Sequence, residues 1–239
     1  MMKKLMLLTI AVLGLQQANA HFLWLETDSR GTLNQSHEIR VYFGEYTLGA
    51  REKTDGHFTY AEDFTLHLIG PEGKKTRLDK KAATDHYTAS FVPETAGVYR
   101  VVLTNDNVEV VDYTEYDLGI FKTEYASVAT VHVGAEKNRG AEKSSLSKLE
   151  VIPVDEGEEI VLQVIYDGKP LAENELKVFL PGGWEKTLQT DEEGKVAFSL
   201  PWNERYVAET SFKEQKPGTF KGKDYEYIWH FTTYSFNKK

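Results

Sequence analysis

The run Glu38-Ile39-Arg40-Val41-Tyr42-Phe43-Gly44 decides the fold. In an extended chain successive side chains point to opposite faces, so Ile39, Val41 and Phe43 line one face and Glu38, Arg40 and Tyr42 the other. The same period recurs at 64–69, where Phe64, Leu66 and Leu68 oppose Thr65, His67 and Ile69. It recurs again at 87–92, with Tyr87, Ala89 and Phe91 on one side, and at 98–104, where Val98, Arg100 and Val102 oppose Tyr99, Val101 and Leu103. Turn signals separate these runs: Gly70-Pro71-Glu72-Gly73 and the Pro93 to Gly97 tract. Further short strands are predicted at 22–26, 75–78, 108–112 and 126–133, with 113–125 less regular. Short strands between Pro/Gly turns predict an antiparallel β-sandwich over 21–134.

The stretch 135–148 is charged, rich in small residues and without periodicity, which reads as a linker. Strands resume from Leu149. They are predicted at 160–165, 176–180, 196–200, 205–210 and 225–236, with turns at Asp167-Gly168-Lys169-Pro170, Pro181-Gly182-Gly183 and Thr190 to Lys195. Apolar residues nowhere recur at helical spacing. The expected class is therefore all-β, with two immunoglobulin-like or Cna-B-like antiparallel sandwiches, 21–134 and 149–239.

Residues 1–20 read as a secretory leader. Lys3 and Lys4 precede an apolar run from Leu5 to Leu15, and Ala18-Asn19-Ala20 is a small-x-small cleavage site. The apolar run is shorter than the ~20 residues a membrane span needs, and no later run reaches that length. Export predicts a periplasmic protein that does not span the membrane. The chain has 28 Lys and Arg against 37 Asp and Glu, a net charge of −9. Loss of the leader's two lysines makes it more acidic, which argues against nucleic acid and anionic membrane as partners. The absence of cysteine removes disulfides and thiol chemistry.

The C-terminal half resembles small transthyretin-like or Cna-B-like sandwiches in Gly168-Lys169-Pro170-Leu171, in Thr190-Asp191-Glu192-Glu193-Gly194-Lys195-Val196 and in Leu200-Pro201. The chain as a whole resembles the DUF4198 family of exported bacterial proteins. The residues that carry this are His21-Phe22-Leu23-Trp24 after the leader, Val41-Tyr42-Phe43-Gly44-Glu45, Gly70-Pro71-Glu72-Gly73-Lys74, Phe91-Val92-Pro93, Gly97-Val98-Tyr99 and the terminal strand 227–236. Members are often labelled periplasmic components of nickel or cobalt uptake. The resemblance implies metal handling outside the cytoplasm on two β-sandwich domains.

Cleavage after Ala20 would leave His21 with a free α-amine. Amine and ring nitrogen of one residue can chelate a single ion, and imidazole suits copper, nickel and zinc. If successive strands run antiparallel, the start of the first strand, the end of the second at Glu45, the loop 46–63 with His57, and the loop 79–86 with His86 all fall at one end. The expected metal set is His21, His57, His86 and Glu45, for nickel, cobalt or copper. Each loop histidine also reads as an ordinary exposed residue: His57 follows Asp55-Gly56 and His86 opens a strand. His37 falls at the far end, His67 lies mid-strand, and His132 and His230 read as structural. Tyr225, Tyr227, Trp229 and Phe231 read as a core face before a carbohydrate platform, and Trp184 as an exposed turn residue.

The expected function is an exported transition-metal-binding protein, an accessory to nickel, cobalt or copper uptake working with an inner-membrane transporter, and not an enzyme. Two alternatives stay open: a structural or adhesive module without metal, and a copper oxygenase of the histidine-brace kind. No Gly-x-Ser-x-Gly, His-Glu-x-x-His or phosphate-binding glycine loop supports hydrolase or nucleotide chemistry.

Overall fold

The computed structural model describes residues 21–134, 146–156 and 159–238. The expected leader at 1–20 and most of the 135–148 stretch lie outside the described residues. Strands dominate, in three stacked sheets and a small hairpin, and the all-β expectation holds. Among the described residues no helix is long and apolar enough to cross a membrane.

The front sheet runs in the order Phe22–Thr27, His37–Glu45, Tyr87–Phe91, Lys81–Ala82, with the two-residue strand Ala50–Arg51 on the end of His37–Glu45. The central sheet has ten strands. Its main path runs Trp184–Gln189, Glu175–Leu180, Arg205–Glu214, Tyr227–Asn237, Gly119–Val133, Gly97–Asn105, Thr65–Ile69, Lys75–Leu78. The rear sheet comprises Leu149–Glu156, Ile160–Tyr166, Lys169–Pro170 and Lys195–Phe198. Strands from both sides of 135–148 thus share the central sheet. They meet in a parallel pair that runs from Phe121↔Tyr227 to Ala129↔Ser235.

The middle of the central sheet is covered on both faces. Tyr99, Val101, Leu103, Ala129, Val131 and Val133 join the front core with Leu23, Leu25, Ile39, Val41 and Phe43. The intervening Val102 and Val128 join the rear core with Leu162, Val164, Tyr206 and Tyr234. A strand buried on both faces reads as a near-continuous apolar run. That is why Val98 to Leu103 carries buried side chains at every position, Arg100 included. The strand Gly119–Val133 also begins seven residues before the expected 126, since Phe121 and Tyr125 continue the alternation into the stretch read as irregular.

A third cluster joins the front sheet to the strands Glu175–Leu180 and Arg205–Glu214. Trp24, Tyr42, Tyr46, Phe179 and Val207 are all buried there. Tyr42, placed on the polar face by its alternation with Phe43, is buried because this second surface covers it. Glu26 sits at the edge of the cluster. Its carboxylate accepts from Trp24 Nε1 at 3.1 Å, from Arg51 Nη2 at 3.1 Å and from Arg205 Nη1 at 2.9 Å.

Candidate metal centre

The parity of the strands brings the four expected backbone positions to one end of the front sheet. Phe22 pairs with Gly44, so His21 stands opposite Glu45, and Val41 pairs with Tyr87, so His86 stands beside Tyr42. Side-chain alternation then divides them. Phe43 faces the front core and Tyr42 faces away from it.

His21 and His57 come together on the Phe43 side. Their ring centres are 5.3 Å apart, with the planes at 46°. His21 lies 5.5 Å from the Phe43 ring, and His57 is stacked on that ring at 6.1 Å and 4°. His57 opens a short 3-10 turn, His57–Ala61, whose Phe58 and Ala61 are buried. That anchorage, with Gly56 N–H donating to Lys53 O, leaves His57 on the solvent rim. Tyr60 and Tyr125 complete the aromatic surround. Burial raises the phenol pKa of Tyr60 to about 12 and pushes that of Tyr125 higher still, so both remain neutral hydroxyls.

His86 lies on the other face. Its ring is 5.2 Å from Tyr42, and its Nδ1 is held by Asp85 Oδ1 at 2.7 Å. The Arg51 guanidinium covers the same Tyr42 ring at 4.0 Å and reaches Asp85 at 4.0 Å, so His86 sits beside an arginine–carboxylate pair. The register that brings His86 to the right end of the sheet therefore also turns it away from His21 and His57.

The carboxylate that reaches His21 is that of Glu52, with Oε1 2.9 Å from Nε2. Glu45 stands across from His21 in register only. Glu52 lies within the stretch 46–63, which reads in the sequence as one long loop. The available signal was Gly49, with a φ of +66°, which closes a four-residue turn through Gly49 N–H donating to Tyr46 O at 3.0 Å. Such a turn returns the chain as a short strand. Among the described residues no group of three or more His, Cys, Asp and Glu side chains is arranged to hold a metal ion. The two imidazole rings that do come together are those of His21 and His57.

The remaining expectations resolve by burial. His37 is buried and bonded to Thr27 Oγ1 at 2.8 Å. Tyr227 is buried while Trp229 and Phe231 are half-buried, and Tyr225 lies on a separate short strand, Lys223–Tyr225. Trp184 packs its ring edge-on to Tyr206, and the exposed indole is its neighbour Trp202.

His230 is a satisfied interior histidine. It sits between Glu214 at 3.0 Å from Nε2 and Glu124 at 3.4 Å from Nδ1, with Lys148 on Glu214 at 3.0 Å. Burial pushes the Glu214 carboxyl up, but the bonds from Lys148 and His230 outweigh it and hold the pKa down at about 2. A carboxylate depressed in the folded state stabilises the fold above its ordinary range and loses that contribution as pH falls towards the folded value. Urea unfolding at about pH 6 and about pH 3 checks this. Wild type should lose about 2 kcal/mol more than Glu214→Gln over that interval, and equal losses would dismiss the clamp.

The model of a domain of unknown function, DUF4198, matches residues 18–214. The chain belongs to the DUF4198 family. No curated protein matches it. Among solved structures, that of a mutant Salmonella alpha-2-macroglobulin aligns with 92% of this chain at 11% identity and a TM-score of 0.31. This DUF4198 chain spans only 15% of that protein.

Proposed function

We propose that this DUF4198 protein is an exported carrier of a late first-row divalent metal ion, nickel, cobalt or copper, serving uptake through a membrane transporter. In this reading, cleavage after Ala20 creates the site, and the ion is held by the α-amine and ring of His21 with the ring of His57. The observation that carries it is the 5.3 Å separation of the two rings. With metal–nitrogen bonds of about 2.0–2.1 Å, two imidazoles sharing one ion have centres roughly 4.5–6.5 Å apart. The donor set, all nitrogen with no thiolate, suits tetragonal copper(II) or nickel(II). His21 is about one-third exposed and His57 is exposed, so an ion there is open to exchange with a partner.

The test compares chain beginning at His21 with chain carrying one extra residue before it. Titration with Ni(II), Co(II) and Cu(II) should show about 100-fold weaker binding or worse in the extended form, a larger loss than an outer-shell contact usually causes. His57→Ala should weaken binding by a further step. Equal affinity of the two forms would refute the chelate.

A further inference from the structure

We infer that Glu52 is the positioning residue of this site, setting the tautomer of His21 so that Nδ1 is left to bind the ion. The inference rests on the metal-binding reading of His21. Only Nδ1 of a histidine ring can close a compact chelate with the α-amine of the same residue, because Nε2 points away from the backbone. Glu52 Oε1 lies 2.9 Å from Nε2. An ionised carboxylate only accepts hydrogen bonds, so Nε2 must carry the proton, and in the neutral ring the lone pair is then on Nδ1. Carboxylates that orient ligand histidines through the second ring nitrogen commonly perform this task at metal centres.

Glu52 is held in place independently of His21. Its backbone N–H donates to Phe43 O at 2.8 Å, which aligns it with Phe43 on the His21 side of the sheet. The preceding Arg51 is pinned on the opposite side by the Tyr42 ring and by Glu26. With Arg51 anchored there, alternation turns Glu52 towards His21. The close approach of this segment requires Gly44, whose φ is +143° and where a Cβ would lie 2.4 Å from Ala50 O. The motif Phe43-Gly44-Glu45 thus serves the site through backbone access.

Stability does not account for the contact. His21 and Glu52 are 35% and 32% exposed, and an ion pair at such exposure adds little to folding.

The experiment uses the chain beginning at His21 as wild type, Glu52→Ala and Glu52→Gln, with the amine-blocked chain as a separate arm. Cu(II) and Ni(II) affinities are measured by competition, and ring ¹⁵N shifts of His21 are recorded on metal-free protein. Glu52→Ala should weaken binding about 10–100-fold. Glu52→Gln, whose amide oxygen accepts the same bond, should recover most of it. The Nε2–H tautomer should dominate in wild type and Glu52→Gln and be diluted in Glu52→Ala, with the melting temperature unchanged in both. Wild-type affinity in Glu52→Ala, while the blocked chain fails to bind, would overturn the role of Glu52 and leave the metal site standing. Equal binding by every form, the blocked chain included, would bring down the metal reading beneath it.

Discussion

Truncating Trp24 to alanine is expected to cost about 3–5 kcal/mol of unfolding free energy, the range for removing a fully buried large aromatic. Trp24 is 1% exposed. It is stacked on Tyr42 at 5.4 Å, meets Tyr46 edge-on at 5.5 Å and shares their cluster with Phe179 and Val207. The cavity would open between the front sheet and strands that come from beyond residue 148, where neither side can collapse without moving a sheet. Glu26 would also lose its indole donor while keeping Arg51 and Arg205. Trp24→Phe separates the two contributions. It retains most of the ring contact and forfeits the hydrogen bond, worth about 1–2 kcal/mol. Urea unfolding with an unchanged denaturant slope gives both numbers, and a loss below about 1 kcal/mol for the alanine variant would mean that this cluster does not hold the sheets together.

A comparable loss, about 3–5 kcal/mol, is expected for Glu150→Ala, because it removes the buried carboxylate that faces the Arg100 guanidinium. Arg100 and Glu150 are 1% and 4% exposed, with Nη2 and Oε2 3.9 Å apart between the central and rear sheets. Burial lowers the Arg100 pKa and the Glu150 charge opposes that shift, so the carboxylate helps to hold the cation there. Desolvation of two ions offsets most of their attraction. Replacing both, as Arg100→Met with Glu150→Leu, should therefore cost far less than the single change. Additive losses in a double-mutant cycle would show that the two charges do not depend on each other.

Much of the fold was legible because alternation reports which side of a strand is wet. Ile39, Val41 and Phe43, and likewise Tyr87, Ala89 and Phe91, fall in the front core as their spacing predicts. Alternation is uninformative where a strand is covered twice. Tyr42 looked like a solvent residue because nothing local announces that Phe179 and Val207, more than a hundred positions away, will cover it. The parallel pairing of Gly119–Val133 with Tyr227–Asn237 has no local signature either, since no hairpin joins the two strands.

The candidate site divides in the same way. Strand parity predicts His21 and His57 at one end, and they are adjacent. The same parity predicts His86 at that end, yet it faces the other way, since parity places a backbone at an end of a sheet but leaves the face to the register. Glu52 is not legible in the sequence because the two-residue strand that delivers it, Ala50–Arg51, is too short to show a period.

Local pattern by itself determined the all-β class, the turns, the faces of the front strands and the end of the sheet where His21 lies. These follow from a repeat of two residues and from the backbone demands of Gly and Pro, both properties of short segments. Tertiary structure alone decided that strands from both sides of 135–148 share one sheet. It also decided that Tyr42 is buried, and that the partners of His21 are His57 and Glu52 rather than His86 and Glu45. Each of these depends on which distant surfaces meet, and a meeting of surfaces is set by the register and packing of whole sheets.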